Sequence, residues 1–458
     1  MICSYSTKKA MKLRSHLIQK TKKKKYQSTP LPFHRPTPII PLHMYQVWHD
    51  KQLPLSVQES INLVKTQNPE FEHHLYDEPM CRAFICEHFP KKVLKAYDLI
   101  VPHAYKADLW RYCILYKRGG IYLDSKYYGI EGFKLIQLTG KEYFCKGVSN
   151  TFFSVYNAIL ICKPGNLVLK KAIDKVVEQV EARYYGAVPW CIGPLMLRTL
   201  FTDRRFNALE LSLDYVNKVK RYISYRGHRI LKYNEDYQKE KAQQSCHWSN
   251  YWENRQLYQR KIPSILFQTS KDPPLTYVVK RLKEWAIGWD YMHFLDKDIL
   301  TFFKENPLKE FPKIEEVFHA FEKGEHKADL FRYYFLYVKG GVFIDGDAML
   351  ETDLDQVTRN YEFFSVDCLP NGKKEIFQGF IGSIPKHPII YAALKDLYTM
   401  KDLKDYSIVV KHLYSIYHAH KNKETKLYPE KWRTPSIAEV HDKTLLLSHY
   451  WEKGYVPK

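Results

Sequence analysis

Several things are scarce in this 458-residue chain, and each scarcity excludes something. No apolar run approaches the roughly 18–20 residues needed to cross a bilayer, so no transmembrane helix is predicted. The N-terminus turns basic after a few residues and has no apolar core of the secretory-signal type. The nine cysteines form no Cys-x-x-Cys pair and no zinc spacing. Their number is odd, and eight precede residue 250, which argues against one disulfide plan shared by both halves. A reducing compartment is the simplest context, so a cytoplasmic location is expected. A secretory lumen would need a signal that this sequence does not show.

Acid is missing from the start of the chain. Residues 1–40 hold 10 Lys and Arg but no Asp or Glu, nearly half of the formal charge of +21. Lys22, Lys23, Lys24 and Lys25 form the densest run. Residues 1–38 are expected to be a solvated, disordered leader. An anionic membrane surface is the partner such a segment would meet. Nucleic acid is not expected, because no recognised nucleic-acid motif accompanies the charge. The rest of the positive excess is spread over both halves and suits negatively charged diphosphate ligands.

What is present is a repeat. Residues 106–126 read KADLWRYCILYKRGGIYLDSK and residues 327–347 read KADLFRYYFLYVKGGVFIDGD, identical at 11 of 21 positions at an offset of 221. Upstream, Pro41, Gln46 and Asp50 match Pro263, Gln268 and Asp272 at an offset of 222. Two ordered matches at nearly one offset mark a duplicated domain rather than a short solenoid unit. The expected boundaries are 39–256 for the first copy and 257–458 for the second, with a linker near 255–262.

Each copy shows the same order of signals. A short apolar strand comes first, Met44–Trp48 and Ile265–Gln268. A second strand-like segment follows, 71–77 and 291–298. The KADL segment reads as a helix with one buried face, because Leu330, Tyr334 and Tyr337 recur at helical spacing. Gly119-Gly120 and Gly340-Gly341 stop these helices. Ile121–Leu123 and Val342–Ile344 then read as buried strands. Alternating strands and helices argue for an α/β sheet, whose ligands sit beyond the carboxyl ends of the strands. Asp345-Gly346-Asp347 falls there. In extended backbone, residues two apart point to one side, so two carboxylates could share a divalent ion. Asp-x-Asp alone is a weak signal.

Joined to KADLFRYYFLYVKGGVFI, the motif resembles glycosyltransferase family 32. That Asp-x-Asp sugar-transferase group includes yeast initiating α-1,6-mannosyltransferases, with the clostridial glucosylating toxins as more distant relatives. The resemblance is specific over residues 263–357, clear over 41–130 and weak elsewhere. It implies two tandem GT-A domains, Rossmann-like α/β folds that use a nucleotide-sugar donor, usually with Mn²⁺ (or Mg²⁺), and retain anomeric configuration. It also implies roles. Asp329 and Arg332 would contact the donor sugar. Asp345 would meet the ribose and the metal shell, and Asp347 would ligate the metal directly. Gln268 joins the donor side. Asp108, Arg111, Asp124 and Trp48 are the donor-side residues of the first copy. His449, within Ser448-His449-Tyr450-Trp451, is the candidate third metal ligand. Cys246-His247-Trp248 is its counterpart.

The first copy departs from the family at one decisive place. Asp124-Ser125-Lys126 replaces the Asp-Gly-Asp, and an ammonium at Lys126 repels a cation but can pair with a diphosphate. Three readings stand for that copy: a scaffold, a metal-independent transferase, or an acceptor-binding module. It keeps Gly193-Pro194, which the second copy lacks, while Ser270 takes the place of Trp48 in the second copy. The expected function is hexosyl transfer from a UDP- or GDP-sugar to a glycan or glycoprotein hydroxyl. The rival is a catalytically inactive carbohydrate- or nucleotide-sugar-binding scaffold.

Overall fold

The computed structural model describes residues 33–130, 132–148, 153–186, 192–216, 220–242, 248–368, 372, 374–400, 407–431, 437–440 and 444–449. Most of the basic leader lies outside them, as do Cys246, His247, Tyr450 and Trp451. The chain divides into two compact units, between Glu253 and Asn254.

The first unit is built on a mixed sheet. Its strands are β1 (His43–Val47), β2 (Glu72–Tyr76), β3 (Gly120–Leu123), β4 (Tyr127–Gly129), β5 (Tyr143–Val148), β6 (Phe153–Cys162), β7 (Leu211–Val216), β8 (Lys220–Tyr225) and β9 (His228–Tyr233). Their order is β2-β1-β3-β6-β5-β7-β8-β9-β4. In the second unit, β10 (Ile265–Thr269), β11 (Asp290–Phe294), β12 (Gly341–Ile344), β14 (Phe363–Asp367), β15 (Ile376–Ser383), β16 (Thr425–Lys431), β17 (Ile437–Val440) and β18 (Thr444–Leu445) form the order β11-β10-β12-β15-β14-β16-β17-β18. A separate pair joins β13 (Ala348–Leu350) to β19 (Leu447–His449).

The first six strands of each order correspond one for one, in direction as well as position. β1 is parallel to β2 and β3, as β10 is to β11 and β12. β6 and β15 then run antiparallel to their neighbours. Even the register break recurs, between Phe144 and Cys145 in one unit and between Phe364 and Val366 in the other. The repeat seen in sequence is therefore a repeat of topology. The second strand of the second copy ends sooner than its sequence pattern implied. It stops at Phe294, and Asp296 opens a helix in which Asp298 accepts from the Leu295 N–H at 3.0 Å.

The KADL helices, His103–Arg118 and Gly324–Val338, end as the glycine pairs require. Gly119 and Gly120 have φ of +64° and +109°, and Gly340 and Gly341 have +69° and +111°. Side chains rarely adopt such angles. Space demands glycine as well. A Cβ on Gly120 would lie 2.6 Å from the His43 carbonyl oxygen, and one on Gly341 would lie 2.7 Å from that of Ile265. The pair thus lets β3 and β12 start flush against β1 and β10.

Burial of these helices goes further than one face. Every residue from Asp329 to Tyr337 is buried. The helix packs on the helix Pro388–Thr399 as well as on β12 and β15. Its surroundings are aromatic: Phe267 lies 4.2 Å from Phe335 between ring centroids, and Phe294 lies 4.9 Å from Phe331. Many of the aromatics therefore serve the core.

The stretch expected as a linker is packed instead. Leu257, Tyr258 and Ile262 are buried, and Arg260 is clamped to Asp355 through Nε at 2.6 Å and Nη2 at 2.8 Å. Trp289 Nε1 donates to the same carboxylate at 3.1 Å. Removing one member of a buried pair strands the other charge. Asp355→Ala is therefore expected to destabilise the second unit by about 3–5 kcal/mol, measured by urea unfolding. A loss below ~1 kcal/mol would show the clamp to be dispensable.

Candidate functional site

Helical spacing of three residues puts Asp329 and Arg332 on one face of their helix. In the second unit, Arg332 Nη2 lies 3.1 Å from Asp329 Oδ1 and 3.8 Å from Asp345 Oδ1, and Nη1 donates to the Gln378 carbonyl at 2.8 Å. The guanidinium lies over the Phe343 ring at 4.2 Å. The first unit repeats this group. Arg111 is 3.1 Å from Asp108 Oδ1 and 3.2 Å from Asp124 Oδ1, donates to the Asn157 carbonyl at 2.6 Å, and lies 4.2 Å from the Tyr122 ring centroid. Two strands and one helix hold each cation in place.

The Asp-x-Asp motif follows β12 but is not extended. Ala348 N–H donates to the Asp345 carbonyl at 3.0 Å, closing a turn over 345–348. Tyr127 N–H does the same to Asp124. The same-side argument from strand alternation therefore does not apply. What orients Asp345 is its backbone: its N–H donates to the Gly379 carbonyl at 2.8 Å and its carbonyl accepts from Gln268 Nε2 at 2.7 Å.

That contact gives Gln268, expected on the donor side, a structural part as well. Its side chain is wholly buried, with Tyr291 Oη donating to its Oε1 at 2.8 Å, so it braces the turn. Asp329 has no exposed surface either and pairs with Arg332. Asp345 is partly exposed and Asp347 exposed. His449 lies on β19, with its backbone paired to Ala348, the residue after Asp347; its side chain is outside the described part.

A divalent ion suits this turn. Two carboxylates reach solvent beside a glycine, and hard oxygen donors suit Mg²⁺ and Mn²⁺, which complete their shells with water. Gly379 makes room, since a Cβ there would collide with Asp345 Oδ2. Among the described residues no third His, Cys, Asp or Glu joins the two aspartates. In the first unit Ala158 supplies the methyl at the equivalent place. Asp124 instead accepts from Tyr122 Oη at 2.9 Å, and Lys126 Nζ stands 4.0 Å from it.

The first unit opens a cavity of about 710 Å³ at this place, lined by Trp48, His49, Asp108, Arg111, Asp124 and Lys126 among others. Trp48 packs edge-on against Tyr237 at 5.8 Å, and the Lys126 ammonium stands 5.4 Å from the centre of that ring. Gly193 is pressed against Asp108, where a Cβ would collide with Oδ2.

Sequence reasoning missed Asn157 and Gln378, although they stand at the repeat's own offset. Asn157 Nδ2 donates to Asp108 Oδ1 at 2.8 Å and to Tyr112 Oη at 3.0 Å, closing a buried network. Gln378, one methylene longer, is also buried, but its amide finds no hydrogen-bond partner among the described residues; nor do the Asp329 oxygens. A polar residue in an otherwise apolar strand was the available signal.

The fold and this doubled Arg–Asp group define a sugar-nucleotide transferase type of domain. The family described as glycosyltransferase sugar-binding region containing DXD motif matches residues 54–127 and 227–364. Over 144 residues it is 28% identical to inositol phosphoceramide mannosyltransferase 1 of Schizosaccharomyces pombe, covering 30% of this chain and 43% of that one. It is 32% identical over 140 residues to mannosyl phosphorylinositol ceramide synthase CSH1 of Saccharomyces cerevisiae, covering 30% and 35%. The initiation-specific alpha-1,6-mannosyltransferase of Candida albicans is 28% identical over 98 residues, covering 20% and 26%. The matched part spans less than half the length of these relatives. The solved PaToxG glycosyltransferase, at 12% identity over 43% of this chain and 76% of its own, has a TM-score of 0.28, too low to bear on the fold.

These relatives overturn the cytoplasmic location. By name they include an inositol phosphoceramide mannosyltransferase and mannosyl phosphorylinositol ceramide synthases, which does not support a cytoplasmic enzyme. No helix among the described residues is long and apolar enough to cross a membrane, and that fact leaves the compartment open.

Burial pushes the Asp108 carboxyl up to about 6, against the pull of Arg111; Asp124 adds to the rise and the Asn157 amide opposes it. The folded unit thus holds this proton more tightly than the unfolded chain, where Asp titrates near ~3.9. Its contribution to stability is present below ~4 and is lost as pH rises through about 6. Asp108→Asn should flatten that decline in urea unfolding measured from pH ~4 to ~7. An unchanged slope would rule Asp108 out as its source.

Proposed function

We propose that the second unit is a metal-dependent hexosyltransferase. It would move a hexose-type sugar from a UDP- or GDP-sugar to a hydroxyl of a glycan, glycoprotein or lipid, with retention. One observation carries the reading: beside the Asp345–Asp347 turn, the buried Gln378 amide and the buried Asp329 carboxylate, which is ion-paired to Arg332, have no hydrogen-bond partner among the described residues. Buried polar groups in that condition mark a place that a ligand completes. Sugar hydroxyls both donate and accept, so they would satisfy a carboxylate and an amide together. The names of the relatives make mannose the first sugar to try.

Asp345 and Asp347 would hold Mn²⁺ or Mg²⁺, whose Lewis acidity neutralises charge on the departing diphosphate. His449 would be a third ligand. Arg332, fixed by Asp329 and the Gln378 carbonyl, faces Asp345 and stabilises the same developing charge. The acceptor hydroxyl would pass its proton to the leaving diphosphate on the face from which that group departs. The sugar's anomeric bond to the diphosphate breaks as the bond to the acceptor oxygen forms.

The cavity of about 710 Å³ favours a second reading for the first unit. With the Asp108 network closed and Lys126 in the place of a metal ligand, it binds a sugar nucleotide or glycan without transfer. In the strict form of this rival, the whole chain is an inactive binding scaffold.

Asp347→Asn should lower Mn²⁺-dependent release of nucleotide from GDP-mannose or UDP-glucose by ~100-fold or more while the fold stays intact. Activity equal to that of the unaltered chain would remove the metal assignment. Lys126→Asp, made in a chain carrying Asp345→Asn and Asp347→Asn, should make nucleotide binding depend on Mn²⁺. Calorimetry with GDP and UDP reads this, and binding indifferent to Mn²⁺ would show that Lys126 does not stand in for the ion.

A further inference from the structure

The edge of the first unit's sheet carries another polar group, at the opposite end of the strands from the motif turn. β1 and β2 are parallel, with His43 paired to Glu72 and Tyr45 paired to His74. Alternation places His43 and Tyr45 on one face of β1, and Glu72 and His74 on the same face of β2. Three ligand-type side chains converge there, and one ligand atom from each lies within 4.8 Å of the others. His43 Nδ1 lies 3.2 Å from His74 Nε2 and 3.1 Å from Glu72 Oε2, and His74 Nε2 lies 3.6 Å from Glu72 Oε1.

Those lengths can be compared with a coordination shell. Zn²⁺ binds imidazole nitrogen and carboxylate oxygen at about 2.0–2.1 Å, usually as a tetrahedron. Ligand atoms in such a tetrahedron stand about 3.3 Å apart, by simple geometry from those bond lengths. The three separations, two of them to different Glu72 oxygens, bracket that figure, so the side chains stand within reach of one face of such a shell.

The support around them is rigid on one side and open on the other. The His74 ring is stacked on Tyr45, with centroids 5.0 Å apart and planes at 17°. Glu72 is 65% exposed, which leaves an entry path. The Arg118 charge is felt at both Tyr45 and His74, and the Glu72 carboxylate offsets it. The second unit shows that the fold does not require this group. At the matching register its residues are Ile265, Asp290 and Met292.

We propose that His43, Glu72 and His74 form a binding site for one Zn²⁺-class ion, with three protein ligands and a fourth position open to solvent. Imidazole and carboxylate ligands suit Zn²⁺ and its neighbours better than the all-oxygen shell preferred by Mg²⁺. The ion would tie the outermost strand to β1. This site is separate from the Asp345–Asp347 turn and does not depend on the transferase reading.

The test uses the full chain, stripped with a chelator, titrated with Zn²⁺ and desalted before elemental analysis. His43→Ala with His74→Ala should retain one zinc fewer per chain than the unaltered protein. Glu72→Gln, an exposed change that spares the fold, should weaken zinc binding by ~10-fold or more. Co²⁺ in place of Zn²⁺ should give a tetrahedral visible absorption band that the Glu72→Gln chain loses. Asp345→Asn with Asp347→Asn should keep both the zinc and the band. Equal zinc content and affinity in all variants, or no zinc held by the unaltered chain, would overturn the proposal and leave the trio as a hydrogen-bonded cluster.

Discussion

A buried guanidinium governs this architecture. Arg111 and Arg332 are taken out of water in the middle of their helices, and an unpaired charge there would cost several kcal/mol. Each is met by the aspartate one turn earlier, a strand carbonyl, the first aspartate of the motif and an aromatic face. Four structural elements must arrive together to supply those partners. The glycine pair brings the strand flush against its neighbour. The antiparallel strand behind it presents a carbonyl, and the turn carries the aspartate. The cation explains why these features recur as a set in both units.

The units differ by small changes around that shared group. Asn157 closes its network, whereas Gln378 leaves an amide without a partner. Ala158 fills a space that Gly379 leaves to a carboxylate. Lys126 puts positive charge where Asp347 puts negative. None of these changes disturbs the order of the six corresponding strands. The same frame can therefore carry two carboxylates on the turn in one unit and a carboxylate with an ammonium in the other.

The repeat was legible because it is written in residues that packing and backbone geometry restrict. KADL, the glycine doublet and the apolar strand after it all survive in both copies, and the sheets confirm them. Less legible was anything set by atoms distant in sequence. The turn at Asp345 closes through Ala348, which alternation rules for strands do not anticipate. The bracing contacts of Gln268 with Tyr291 and a motif carbonyl join residues 23 and 77 positions away, which its matched position alone does not show. Asn157 and Gln378 carried no local signal beyond polarity. The near-total burial of the KADL helices also escaped a periodicity argument, since tyrosine and arginine read as half-polar even when enclosed.

The buried Asp329 carboxylate and Gln378 amide, without hydrogen-bond partners among the described residues, have a consequence for how such a protein can change. Filling the space of the Gln378 amide with hydrocarbon of similar shape would remove a desolvation penalty and make the unit sturdier, whereas Asp329 is needed to pair the buried Arg332. The same change would erase the demand that a sugar is suited to answer. Selection for robustness alone would push position 378 toward hydrocarbon, so a chain that keeps Gln378 buried without a hydrogen-bond partner has kept a local weakness.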